Sequence, residues 1–261
     1  MKINNLGLLN SLSSIINSGK SANIEYILAE YILKNLYRIS SISILEITDE
    51  CFTSRSAIRR FCEQLGYANF SELKSSVNKL VFPSNLRFRD IKEYSSYQTH
   101  IKNLIDDMIL DIDEQLNFEN INYLCQLIHK DVKVVLLCAN NTSGTIIKFQ
   151  QELLFASKVI HVISTSFTNN KVLNDLNDED IIITVSASGK FAELSLDFVK
   201  SLRGHKFLIT GNQDKSIKLA YENIFYISKN SISNDYLSIY GKYGITYILD
   251  LISMQYLFLY A

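Results

Sequence analysis

The sequence predicts an α/β protein in two parts: an all-α N-terminal helix-turn-helix domain, then a three-layer α/β domain around a five-stranded parallel sheet. Three observations carry that expectation. Before Pro83, the only proline of the chain, apolar residues recur at helical spacing with short polar breaks. After about residue 130, short β-branched runs alternate with helical stretches, which is the signature of βα units. Between the two, Phe82 to Ser95 has neither period and reads as a linker. The expected division is therefore 1–82 for the helical domain, 83–105 for the linker and the start of a connecting helix, and 106–261 for the α/β domain.

With 47% apolar and 20% charged residues in 261, the chain has the composition of a folded protein and not of a disordered or collagen-like one. Lys plus Arg (26) nearly cancels Asp plus Glu (27), which excludes coating of nucleic acid through bulk charge, so any such contact must be local. Cys51, Cys62, Cys125 and Cys138 show no Cys-x-x-Cys spacing and lie in apolar stretches. They indicate a reducing compartment, neither a zinc site nor a disulfide framework. His100, His129, His161 and His205 are scattered without metal-ligand spacing, and no metal or cofactor is expected. Asn4, Asn5, Asn10 and a run of serines interrupt any signal-like segment at the start. Near the other end, Asp250 sits in the middle of the apolar stretch Tyr243 to Ala261, where an acid opposes membrane insertion. A cytoplasmic protein with no membrane partner is the expectation.

In the first part, Ile24, Ile27, Leu28, Tyr31 and Ile32 mark one face of a helix near Ala22 to Asn35. The next helix opens at Ser43-Ile44-Leu45-Glu46, which spells a capping box: the serine takes the amide of Glu46 and the glutamate reaches back. Its apolar face is Ile44, Ile47 and Cys51. Thr53 or Ser54 then caps a third helix whose inner face is Ile58, Phe61, Cys62 and Leu65, ended by Gly66. Two short helices on so tight a turn form a helix-turn-helix. With that apolar face turned inward, Arg55, Ser56, Arg59 and Arg60 must point outward. From Thr53 to Leu80 five basic side chains stand against the acidic pair Glu63 and Glu72. A recognition helix needs charge of this kind, and an ordinary solvated helix face is the alternative reading.

The run Ser54-Arg55-Ser56-Ala57-Ile58-Arg59-Arg60-Phe61-Cys62-Glu63-Gln64-Leu65-Gly66-Tyr67, continued by Phe70-Ser71-Glu72-Leu73-Lys74, resembles the N-terminal domain of RpiR-type transcriptional regulators. The resemblance implies binding to a double-stranded DNA operator. On that reading Arg55, Ser56 and Arg59 meet base edges, while Thr53, Ser54, Arg60 and Lys74 meet phosphates.

In the second part, Val132 to Cys138 is an apolar run suited to a buried parallel strand. Further strands are expected at Val159 to Ile163, Ile181 to Ser186, Phe207 to Thr210 and Ile224 to Ile227. Ala139 to Gly144 leads into a helix from about Thr145 to Ser157, and Ser186-Ala187-Ser188-Gly189 leads into another. Polar loops opening into helices at the carboxyl ends of strands suit anions, although Ser-x-Ser-Gly is also an ordinary cap and turn. Order and spacing resemble the SIS domain that follows the helical domain in RpiR-type proteins. By that resemblance Asn141, Ser143, Ser186, Ser188 and Gly189 would hold a phosphosugar effector. Ala139 and Asn141 stand where the family usually has glycines, and Phe191 where it usually has threonine.

Glu193 and His205 invite comparison with the base and ring-opening groups of an aldose–ketose isomerase. A helix-start glutamate and a histidine in a surface turn before the next strand describe them equally well, and no catalytic residue is expected. A phosphosugar isomerase with an appended helical domain, or a DNA-binding dimer with a degenerate pocket, are the alternatives. The C-terminal helix, with Tyr247, Ile248, Leu251, Ile252, Met254, Leu257 and Leu259, is apolar on more than one face. Part of it is expected to meet a second subunit, giving a homodimer or higher even oligomer.

Overall fold

The computed structural model describes residues 8–18, 21–77, 94–139, 142–164, 167, 170–230, 232 and 237–261, except the side chains of Asn10, Tyr94, Ser95, Ser143 and Ser238. The expected linker around Pro83 lies outside these residues. Contacts divide the chain into two compact units, Lys2–Val81 and Phe82–Ala261.

The N-terminal unit is helical: α1 (Leu8–Asn17), α2 (Ile24–Lys34), a 3-10 turn (Ile39–Ser41), α3 (Ile44–Glu50), α4 (Arg55–Gln64) and α5 (Phe70–Val77). Leu8, Leu12, Ile15 and Ile16 give α1 an inner face at helical spacing, with Leu8 and Leu12 buried in the same core as Leu28, Ile32, Ile47, Ile58, Phe61 and Leu73. The serines that break a signal-like segment, Ser13 and Ser14, simply line its outer face. The capping box at α3 is half realised. Ser43 accepts from the Glu46 amide at 3.0 Å, but the Glu46 carboxylate is taken by Arg38 at 2.7 Å and Tyr31 at 3.4 Å. A charge-assisted bond to guanidinium outcompetes one to a neutral amide. Gly66 ends α4 at φ 86°, with the Tyr67 amide bonded to Cys62 O at 2.8 Å, the left-handed close that glycine adopts without strain.

The second unit begins with α6 (Tyr94–Gln115) and α7 (Phe118–His129), followed by β1 (Val134–Cys138), α8 (Ser143–Leu154), β2 (His161–Ile163) and α9 (Lys171–Asn174). Then come β3 (Ile181–Ser186), α10 (Lys190–Leu194), α11 (Leu196–Ser201), β4 (His205–Thr210), α12 (Lys215–Lys218) and β5 (Asn223–Tyr226). A short α13 (Leu237–Ile239) passes through a π turn (Tyr240–Gly244) into α14 (Ile245–Tyr260). The sheet is wholly parallel in the order β2-β1-β3-β4-β5.

Val134, Leu136, Cys138, Ile181, Ile183, Val185, Phe207 and Ile209 share one core with α6, α7, α8 and α14. Residues of the other parity, Val135, Leu137, Ile182 and Leu208, are buried too, so both faces are covered and the domain has three layers. Buried Asp180 ties the strand starts together, accepting from the Lys133 and Asn177 amides at 2.8 Å each. The π turn anchors α6: a side chain at Gly244 would press on Ile227, Met108 and Ile112.

His205 is not in a surface turn. It opens β4, its Nδ1 3.0 Å from Glu222 Oε2, because the parallel ladder extends two residues before Phe207. Among the described helices none is long and apolar enough to cross a membrane.

Candidate DNA and effector sites

The outer face of α4 is cationic and open. Ser54 caps the helix by accepting from the Ala57 amide at 3.2 Å, and its hydroxyl lies 2.8 Å from that of Ser56. Burial of Ile58, Phe61 and Cys62 turns Arg55, Ser56, Arg59 and Arg60 to solvent. Arg59 is held on the surface by Glu63, Nε to Oε1 at 2.9 Å. Thr53 is half-buried, its amide bonded to Thr48 O at 3.0 Å. Lys74, on α5, helps hold the unit together, since its Nζ donates to Ile42 O at 2.9 Å and lies 5.3 Å from the Phe70 ring centre. Thus Arg55, Ser56, Arg59 and Arg60 share one exposed helix face, whereas Lys74 belongs to the next helix and is tied down there.

In the second unit the order of strand addition reverses across the sheet between β1 and β3, a topological switch point. Cys138 pairs with Val185, so the segments after β1 and β3 leave the same sheet edge. Asn141 lies outside the described residues, and of Ser143 only the backbone, at the start of α8, is described.

The β3 loop is described in full. Ser186 is buried, and its hydroxyl accepts from the Phe191 and Ala192 amides at 3.1 and 3.2 Å, capping α10 from within. Ser188 is exposed, with a long contact of 3.4 Å from the Lys190 amide. Gly189 has φ 76°, and a Cβ there would overlap the Asn212 side chain. Asn212 is not among the site residues expected from the sequence. It follows β4 in the polar run Gly211-Asn212-Gln213-Asp214, the same strand-then-polar pattern that singles out the β3 loop. Thr210 supports the loop by donating its hydroxyl to Ser186 O at 2.7 Å.

Glu193 is exposed on α10, beyond the carboxyl end of β3, whereas His205 starts β4 at the opposite end of the sheet. The structure does not bring them together. Burial raises the Cys thiols, Cys62 to about 11 and Cys125 and Cys138 to about 12, which keeps them protonated. Among the described residues no group of three or more His, Cys, Asp or Glu is placed to hold a metal ion.

Residues 8–82 match the helix-turn-helix domain of the rpiR family. The HTH-type transcriptional regulator GlvR of Bacillus subtilis (strain 168) is 24% identical over 225 residues, 84% of each chain. The chain is an RpiR-type transcriptional regulator. Its fold is that of the Vibrio vulnificus NanR protein complexed with ManNAc-6P (14% identity, TM-score 0.51, 97% of the regulator and 92% of NanR). A protein of E. coli CFT073 has the α/β part alone (13% identity, TM-score 0.50, 65% of the regulator and 95% of that chain).

Proposed function

We propose that the regulator binds a double-stranded operator as a homodimer or higher even oligomer, with α4 in the major groove. Arg55, Ser56 and Arg59 meet base edges, while Thr53, Ser54, Arg60 and Lys74 meet phosphates. The observation that carries this is the exposure of every arginine of α4 on one side of a helix whose other side is core. The capped N-terminus of α4 adds a partial positive charge beside them.

The effector is a phosphosugar held after β1 and β3 by Asn141, Ser143, Ser186, Ser188 and Gly189. Convergence of two polar loops at the switch point supports the location. The class of ligand is that of ManNAc-6P, which NanR carries. Ser186 spends both acceptor positions on α10, so it serves chiefly to shape the loop and has its own proton left to donate. Ser188 is the open hydroxyl.

A second reading, a DNA-binding dimer with a degenerate pocket, is favoured by Asn212 lying over Gly189 and by Phe191 in place of a hydroxyl. Thermal melting of the full chain against a panel of phosphosugars decides between them. A true effector at 100 times its Kd stabilises by about 2.7 kcal/mol, and the gain is lost in Ser188→Ala. A panel that shifts nothing favours the degenerate pocket. Separation of Glu193 from His205 speaks against isomerase chemistry, and turnover of any phosphosugar by the purified chain would restore that reading.

A further inference from the structure

Phe52 sits in the turn between α3 and α4 and is 95% exposed, among the most solvent-laid apolar side chains of the molecule. Its backbone has φ 48°, a left-handed conformation that glycine takes freely and a bulky residue takes only with strain. The turn is nevertheless well bonded: the Phe52 amide reaches Asp49 O at 3.3 Å and the Thr53 amide reaches Thr48 O at 3.0 Å. Sharp closure between the two helices therefore sets the conformation, and the side chain gains no packing from it. Within its own unit the ring does nothing for stability and works against it twice, through exposure and through strain.

What lies next to it is the surface assigned to DNA. Phe52 stands two residues before the Ser54 cap and three before Arg55, at the leading end of the helix that enters the groove. Polar and charged side chains there are suited to phosphates and to base donors and acceptors. An apolar ring is suited to neither. The apolar group that base edges offer in the major groove is the 5-methyl of thymine.

We propose that Phe52 is a specificity-determining residue of the regulator, its ring packing on a thymine methyl at the edge of each half-site. This inference rests on the reading of α4 as the groove-entering helix.

The test uses the full chain and a duplex selected by it from a random pool, with each thymine replaced in turn by uracil, which lacks the methyl. One replacement should weaken wild-type binding about tenfold. Phe52→Gly should bind the thymine duplex about tenfold less tightly and be indifferent to that replacement, while melting at a higher temperature than wild type because the strain is relieved. Phe52→Ala keeps the strained backbone and should lose affinity without the gain in Tm. Wild-type affinity in Phe52→Gly, or equal sensitivity of both proteins to every uracil, overturns the proposal. So does a drop in oligomeric state in Phe52→Gly, which would mean that the ring is covered by a second copy. Arg59→Ala distinguishes the two levels: if it too keeps full selectivity the reading of α4 fails, and if it alone loses selectivity only the role of Phe52 fails.

Discussion

At the scale of single residues, the seven side chains assigned to DNA differ in what else they do. Arg59 is bonded only to the exposed Glu63, an i,i+4 pair of a kind worth about 0.3–0.5 kcal/mol, so it is cheaply released to a base edge. Arg59→Ala should relax sequence preference with little change in melting temperature. Lys74 bonds Ile42 O and covers the Phe70 ring. Lys74→Ala should therefore weaken all duplexes alike, lower the salt slope by about 1 and also lose roughly 1 kcal/mol of stability. Competitive binding to selected and unrelated duplexes over a salt series, with melting curves, checks both. Equal loss of specificity in the two variants would contradict the assignment. The basic residues are legible in the sequence because i+3 and i+4 spacing dictates which side of α4 they occupy. The anchoring of Lys74 is not, since its partner lies 32 positions away in the chain.

At the scale of elements, caps and helix faces set the geometry. Ser54 is the sole side-chain cap of α4, and Ser54→Ala should cost about 1 kcal/mol in denaturant unfolding while loosening the turn that presents Arg55. Asp250 on α14 makes the other element-scale case. Partial burial, then the nearby Glu152, push its carboxyl above the usual range, against a smaller pull from Lys148. An acid whose pKa is raised on folding binds its proton more tightly in the native state, so its contribution favours folding at low pH and is lost as pH rises through the folded pKa. Asp250→Asn should accordingly melt above wild type at pH 7, and the difference should vanish below about pH 4. A constant difference across that range would refute the account. Strand order in the chain, the helix-turn-helix and the β3 loop are all visible as local patterns. The α1 helix is harder to see, because its serines mask an inner face that only packing against α2 reveals.

At the scale of the whole molecule, α14 carries the question of assembly. Its inner residues Ile248, Leu249, Ile252 and Tyr256 complete the α/β core, yet Phe258 is 83% and Met254 66% exposed. Both lie on one face, four residues apart, beside half-buried Leu251. If this stripe joins subunits, Phe258→Glu should lower the sedimenting mass and weaken binding to a duplex with two half-sites, leaving a single half-site bound as before. Unchanged mass would move the interface elsewhere. Paired helices reading two half-sites require such a partner, and effector binding could then act by altering their spacing.

By itself the sequence determined what depends on near neighbours: helix and strand periods, the cap of α4, the outward arginines, the glycine close at Gly66 and the polar loop after β3. Folding decided which of those groups are free to act. Ser186 looks like a ligand residue in one dimension and is a buried cap in three, Glu46 abandons its own helix for Arg38, and Asn212 arrives at Gly189 from another strand. The reason is physical: hydrogen-bond partners are chosen by distance and desolvation in the packed chain, and residues far apart in sequence win whenever packing brings a stronger or drier partner within reach.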